Sequence, residues 1–171
     1  MTNESERPDT LNDIGVLKRR EIEARIVAPL LERFGQEFGH ERVVELAREV
    51  VVEVAQGQGA AMAEALGSND LATFGGSMDA WTRGGALELE ITEQSATTFS
   101  FNVTRCKYAE MYRELGMADL GAALSCNRDG TMVEGFNSDI EFSRTQTIMG
   151  GASHCDFVYT LDESEQPVDL T

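Results

Sequence analysis

Two hydrophobic periods divide the chain. Ile14, Leu17, Ile22, Ile26, Leu30 and Phe34 recur every three to five residues, broadly the spacing of an amphipathic helix. Pro29 lies inside that run and predicts a kink or a split, with Gly35 and Gly39 stopping it. A second helix is expected over residues 41–56, where Val43, Leu46, Ala47, Val50, Val51 and Val54 form a stripe suited to a core or to a dimer interface. Gly57 and Gly59 loosen the chain before a short alanine-rich helix at 60–66. Another short helix is expected over 70–83, closed by Gly84-Gly85.

The period then drops to two. Leu87, Leu89 and Ile91 alternate with Glu88 and Glu90, as on a half-buried strand. In residues 97–106, Phe99, Phe101 and Val103 should face one way and Ser100, Asn102, Thr104 and Cys106 the other. The short interval 92–96 closes an antiparallel hairpin. Helix returns over 107–115 and from 117 to about 128, and two more strands follow at 140–148 and 155–161, joined by Gly150-Gly151. The pattern predicts an α+β domain: a helical N-terminal half packed on an antiparallel sheet of about four strands, two hairpins with intervening helices. One domain over residues 11–161 is expected, with a polar tail at 1–10 (MTNESERPDT) and an acidic tail at 162–171 (DESEQPVDLT).

Charge narrows the partners. Thirty acidic residues against 14 basic ones give a net charge of -16, which repels a phosphate backbone. Nucleic acid is therefore not an expected partner, and an anionic substrate needs a specific arginine or lysine. No stretch approaches the roughly 20 apolar residues that span a bilayer, and residues 1–10 do not read as a secretory leader. Three cysteines, an odd number, do not suggest a disulfide framework. A cytoplasmic location fits these facts.

No phosphate loop, dinucleotide glycine fingerprint, zinc-protease histidine pair or CxxC pair is present. His40 reads as a residue at a helix start, whereas His154 is followed at once by Cys155 and Asp156. Cys106, Cys126 and Cys155 each fall at an element boundary, where residues distant in sequence can meet on one rim of a sheet. Thiolates there could serve as nucleophiles or metal ligands; equally, free cysteine packs as a small buried hydrophobe. Asp129 follows Cys126 by three, on the same helix face if the helix persists, or in a turn at Asp129-Gly130. His154 shares a site with Cys155 only if it still belongs to the loop, because neighbours on a strand face opposite ways. Arg105 and Arg144 offer carboxylate-binding forks. Arg144 lies in FSRTQT, either a pocket lining or an exposed sheet face.

These residues carry a resemblance. The segments VTRCKYAE (103–110), YRELG (112–116), LSCNRD (124–129) and GFNSDIEFSRTQTIMGGASHCDFVY (135–159) resemble the L-2-amino-thiazoline-4-carboxylic acid hydrolase family over residues 85–161. The resemblance implies hydrolytic opening of a cyclic amidine, the thiazoline ring, to an N-carbamoyl-cysteine. It shifts the three cysteines toward function. Two mechanisms follow. In one, a cysteine thiolate attacks the amidine carbon while His154 or Asp129 moves protons. In the other, Cys106, Cys126 and Cys155 hold a zinc ion that activates water. Asn102, Ser143, Thr145 and Thr147 are the expected donors to the tetrahedral adduct, and Arg144 the expected anchor of the substrate carboxylate. The leading expectation is a hydrolase acting on a C–N bond of a small cyclic amidine or cyclic amide, with no cofactor or with zinc. The alternative is a sensor or carrier with the same pocket and no turnover.

Overall fold

The structure, a computed structural model, describes residues 11–161; the tails expected at 1–10 and 162–171 lie outside the described residues. After a short 3-10 turn at Leu11–Ile14 come the helices α1 (Val16–Phe38), α2 (His40–Leu66), α3 (Leu71–Gly76) and α4 (Asp79–Thr82). Strands β1 (Leu87–Gln94) and β2 (Thr98–Cys106) follow, then α5 (Lys107–Glu114), α6 (Ala118–Gly121), a π-helical turn (Ala122–Cys126) and α7 (Arg128–Phe136). Strands β3 (Ile140–Ser143) and β4 (Cys155–Leu161) close the described chain. The four strands form one antiparallel sheet in the order β1-β2-β4-β3, so the fold is α+β as the pattern predicts.

Aromatic residues hold the sheet to its helices. Phe99 and Phe101 of β2 sit beside Phe157 and Tyr159 of β4, with Phe101 and Phe157 stacked at 4.9 Å between centroids. Phe74 of α3 and Phe136 of α7 cover this patch from above, 5.4 Å from each other, and Phe74 lies 5.0 Å from Tyr159. Such pairs add about 0.5–1.5 kcal/mol beyond the area they bury. With Leu71, Val103, Val133 and Ile140 they make the main core. The opposite sheet face is only partly covered.

Several local expectations are corrected. Helix α1 runs unbroken through Pro29, which is exposed, so the carbonyl freed four residues earlier can meet water. Gly35 stays inside that helix; the stop is Gly39, whose φ of 94° sits outside the helical region. The expected 70–83 helix is two short ones, the first capped by the Asp70 carboxylate, which accepts from the Thr73 N–H at 2.7 Å. Strand β3 ends at Ser143, so residues 144–154 form a loop rather than half of a longer strand. The Asp129-Gly130 pair lies in the first turn of α7, not in a turn after a helix.

Cys106 also faces otherwise than strict alternation predicts. Leu89 pairs with Val103 and Glu88 with Arg105, leaving Thr104 as the extra, bulged residue of β2. One inserted residue resets the alternation, so Cys106 returns to the core side with Val103.

Gly57 and Gly59 do not loosen α2, which continues through both. Gly59 is where α2 and α7 cross. A Cβ there would come within 2.0 Å of the Met132 carbonyl oxygen, and one on Gly135 of α7 within 2.1 Å of the Gln56 carbonyl oxygen. Backbone cannot step aside as a flexible side chain can. A Cβ on exposed Gly57 meets nothing within 4 Å. Two alanine substitutions two residues apart should thus have opposite signs in denaturant unfolding. Gly59→Ala is expected to destabilise by about 2–4 kcal/mol through forced separation of the helices. Gly57→Ala is expected to stabilise by roughly 0.5–1 kcal/mol through helix propensity.

Candidate functional site

The end of the sheet nearest α1 and α7 encloses a small cavity of about 80 Å³. Cys106 at the end of β2, Cys126 at the end of the π turn and Cys155 at the start of β4 all line it, with Asp129 and Arg144. None of the three is disulfide-bonded. A second void of about 50 Å³ adjoins it and shares Trp81, Leu87, Asp129 and Phe157. Residues from strand ends, a helix break and a loop thus meet although up to 49 positions separate them (155 minus 106).

Each sulfur is placed by a local device. Cys106 is the residue before the first turn of α5, and its Sγ accepts the Ala109 N–H at 3.4 Å. Cys126 follows from the π turn, where the Asn127 N–H reaches back five residues to the Ala122 carbonyl. The wider turn shifts the helical phase just before α7. Cys155 is buried, and its Sγ accepts the Ile148 N–H at 3.2 Å. Burial pushes the Cys106 thiol up to about 11, opposed by the amides of α5. Burial, with Asp129 adding to it, pushes the Cys126 thiol up to about 12. Cys155 is also raised by burial.

Arg144 and Asp129 form the charged centre. Arg144 Nη1 donates to Asp129 Oδ2 at 2.5 Å, and Nη2 donates to the Cys126 carbonyl at 3.1 Å. The guanidinium lies 5.0 Å from the Phe157 ring centroid and 5.5 Å from that of Phe142. Burial raises the Asp129 carboxyl above the usual carboxylate range although Arg144 pulls it down. Asp129 keeps 33% of its side-chain surface, and Arg144 13%.

The other expected residues lie elsewhere. His154 is absent from the cavity lining; its ring meets Gln146 and Ser153 instead, because Cys155 takes the core-facing register and its neighbour points away. Asn102 sits opposite Asp156 on the other sheet face. Ser143 is exposed. Thr145 donates through both N–H and Oγ1 to Asp156, and Thr147 Oγ1 accepts the Gly150 N–H. None of these four lines the cavity. Thr145 and Thr147 shape the loop that carries Arg144. Arg105 pairs with Glu88 and Glu110 on the surface.

Zinc on Cys106, Cys126 and Cys155 does not fit this arrangement. Among the described residues no three histidine, cysteine or acidic side chains are grouped so as to hold a metal ion. The sulfurs line the cavity from separate elements, and two of them face backbone N–H donors.

Two residues escape the sequence reading. Arg20, 5% exposed, projects from α1 into the cavity lining. It occupies the buried row Val16, Arg20, Ala24, Ala28, and that spacing of four was the available signal. Glu23 pairs with Arg20 at 2.6 Å and with Arg19 and Arg128 at 3.9 Å, so three guanidiniums share one carboxylate. Asp156 is the second: it receives the backbone N–H groups of Thr145 and Gln146 and so holds the loop leading from Arg144.

Comparisons with known proteins bear on this geometry. No curated protein matches the chain. Among solved structures, a trafficking protein particle complex subunit 3 from Naegleria fowleri, covalently bound to palmitic acid, is 10% identical over 85% of this chain and 96% of its own, with a TM-score of 0.51. That likeness is one of fold. The phenol-responsive sensory domain of the transcription activator PoxR, with phenol, is 10% identical over 91% of this chain and 76% of its own, with a TM-score of 0.47. The family model for L-2-amino-thiazoline-4-carboxylic acid hydrolase matches residues 19–159, a span that takes in every residue lining the cavity from Arg20 to Phe157. The chain belongs to the L-2-amino-thiazoline-4-carboxylic acid hydrolase family.

Proposed function

We propose that the protein is a hydrolase that opens a C–N bond of a small cyclic amidine or cyclic amide bearing a carboxylate, by covalent cysteine catalysis. The observation that carries this reading is the meeting of Cys106 with the Asp129–Arg144 pair on one small cavity. Family membership supports the hydrolytic class. The cavity is small, which suits a single ring and its substituents with some local opening.

Cys106 is the nucleophile of this proposal, because the first amides of α5 point at its sulfur and favour a thiolate there. Its proton passes to the Asp129 carboxylate as the sulfur pair bonds to the electrophilic ring carbon, and the C=N or C=O pair moves onto the heteroatom. The pair on the heteroatom then re-forms its double bond as Asp129 protonates the departing ring nitrogen, and the carbon–nitrogen bond breaks to free an amino group; in a thiazoline the ring sulfur departs in its place, leaving the carbamoyl group on nitrogen. Water, losing a proton to Asp129, displaces Cys106 from the carbon, and the thiol is restored. The sum is one water added and one bond opened. Burial raises the Asp129 carboxyl, which makes it a stronger base toward the thiol. Arg144, occupied by Asp129 and the Cys126 carbonyl, orients the base. The substrate carboxylate falls to Arg20, which lines the cavity from α1.

Ring opening of 2-amino-thiazoline-4-carboxylate and of hydantoins, followed by chromatography, tests the reading. Cys106→Ser is expected to lower kcat by at least about 10³-fold and Asp129→Asn by roughly 10²–10⁴-fold. Full turnover by Cys106→Ser would overturn the covalent route. Ring binding without turnover by the wild type would favour the sensor or carrier. Arg20→Met is expected to raise KM for a carboxylated ring by about 10–100-fold while sparing an uncharged analogue; equal effects on both would remove Arg20 from substrate binding.

The pH dependence has a definite sign. Activity should rise with pH as Asp129 ionises, on a limb lying above the ordinary carboxylate range, and Asp129→Asn should lack that limb. Alkylation of Cys106 by iodoacetamide should be slow at neutral pH and quicken about tenfold per pH unit toward about 11, compared against Cys106→Ser by mass spectrometry.

A further inference from the structure

A wider concave feature lies outside the cysteine cavity. A groove of about 560 Å³ runs between α1 and α2, lined almost wholly by apolar side chains, among them Val27, Leu31, Phe34, Leu46, Val50 and Val54. Its flanks are unusually bare for a water-facing surface. Ile22, Ile26, Leu30, Phe34 and Phe38 on α1 and Leu46, Val50 and Val54 on α2 are all exposed, Phe38 by 69%, Ile26 by 61% and Val50 by 58%. At about half of roughly 200 Å² each, these eight side chains offer on the order of 800 Å² of apolar surface.

We infer that this face binds a second copy of the chain, forming a two-fold dimer through a four-helix layer. Three observations favour that occupant. First, the area equals what one partner contributes to a standard stable interface, about 800 Å², and exceeds the roughly 300–600 Å² of the largest patch on an ordinary monomer. Second, α1 and α2 fold back at Gly39 so that Ala24 packs with Val51, giving two ridges with a groove between them. A second copy of such a relief, turned about a two-fold axis, seats ridge in groove as helical layers do. Third, copies at a net charge of -16 repel one another, so they should meet where acids are scarce. Among the described groove residues only Glu23 is acidic, beside Arg128 and an Arg42 that pairs with Glu45 and Glu49 at the groove's edge. The same net charge disfavours an anionic bilayer as occupant.

Sedimentation equilibrium of the full chain at micromolar concentration tests the inference. The wild type is expected at twice 18.7 kDa. Val50→Arg and Ile26→Glu are each expected to weaken the dimer at least about 100-fold, and the milder Leu46→Ala about tenfold, with unchanged far-UV circular dichroism. If the charged variants lose their helical signal, Leu46→Ala decides. A monomeric wild type would overturn the inference, as would a dimer that none of the three substitutions weakens. Neither result depends on whether rings are hydrolysed.

Discussion

The cavity exists because one guanidinium ties a loop to a helix. Arg144 leaves the sheet just after β3 and meets Asp129 in the first turn of α7 and the carbonyl of Cys126 at the end of the π turn. Its flat face lies against Phe142 and Phe157, so charge and packing act on the same group. A lysine could not make both directed bonds and the ring contacts together. The loop behind it is held by Asp156, which gathers two backbone N–H groups and a hydroxyl. Arginine, aspartate and loop therefore hold the rim as a unit.

Burial places that unit under electrostatic tension. Burial raises Asp129 and the thiols at once and works against the charge on Arg144 too, which the neighbouring Asp129 carboxylate sustains. Around the other end, Arg20, Arg19 and Arg128 converge on Glu23. A strongly acidic protein thus gathers basic side chains beside its cavity.

Close packing by small residues sets the frame for this. Gly59 and Gly135 bring the backbones of α2 and α7 into contact, and α7 in turn presents Asp129 to the sheet. The helices α1 and α2 then divide their apolar surface. One side, with Ala24, Ala28, Val51 and Ala55, is buried within the chain; the other, with Ile26, Phe38 and Val50, remains open.

Period and composition determined the class of fold, the strands near residues 87–106 and 155–161, the unpaired cysteines and the acidic surface, because each rests on local spacing or on counting. The convergence of Cys106, Cys126, Cys155, Asp129 and Arg144 followed from element boundaries and a family resemblance, with no contact visible in the one-dimensional pattern. Tertiary structure alone decided the facing of Cys106, since a bulge at Thr104 changes side-chain parity without changing composition. It alone turned His154 away, placed Arg20 in the cavity and made Gly59 a crossing point rather than a break. Each of these depends on which backbone lies within a few ångströms, and a chain read residue by residue carries no such distance.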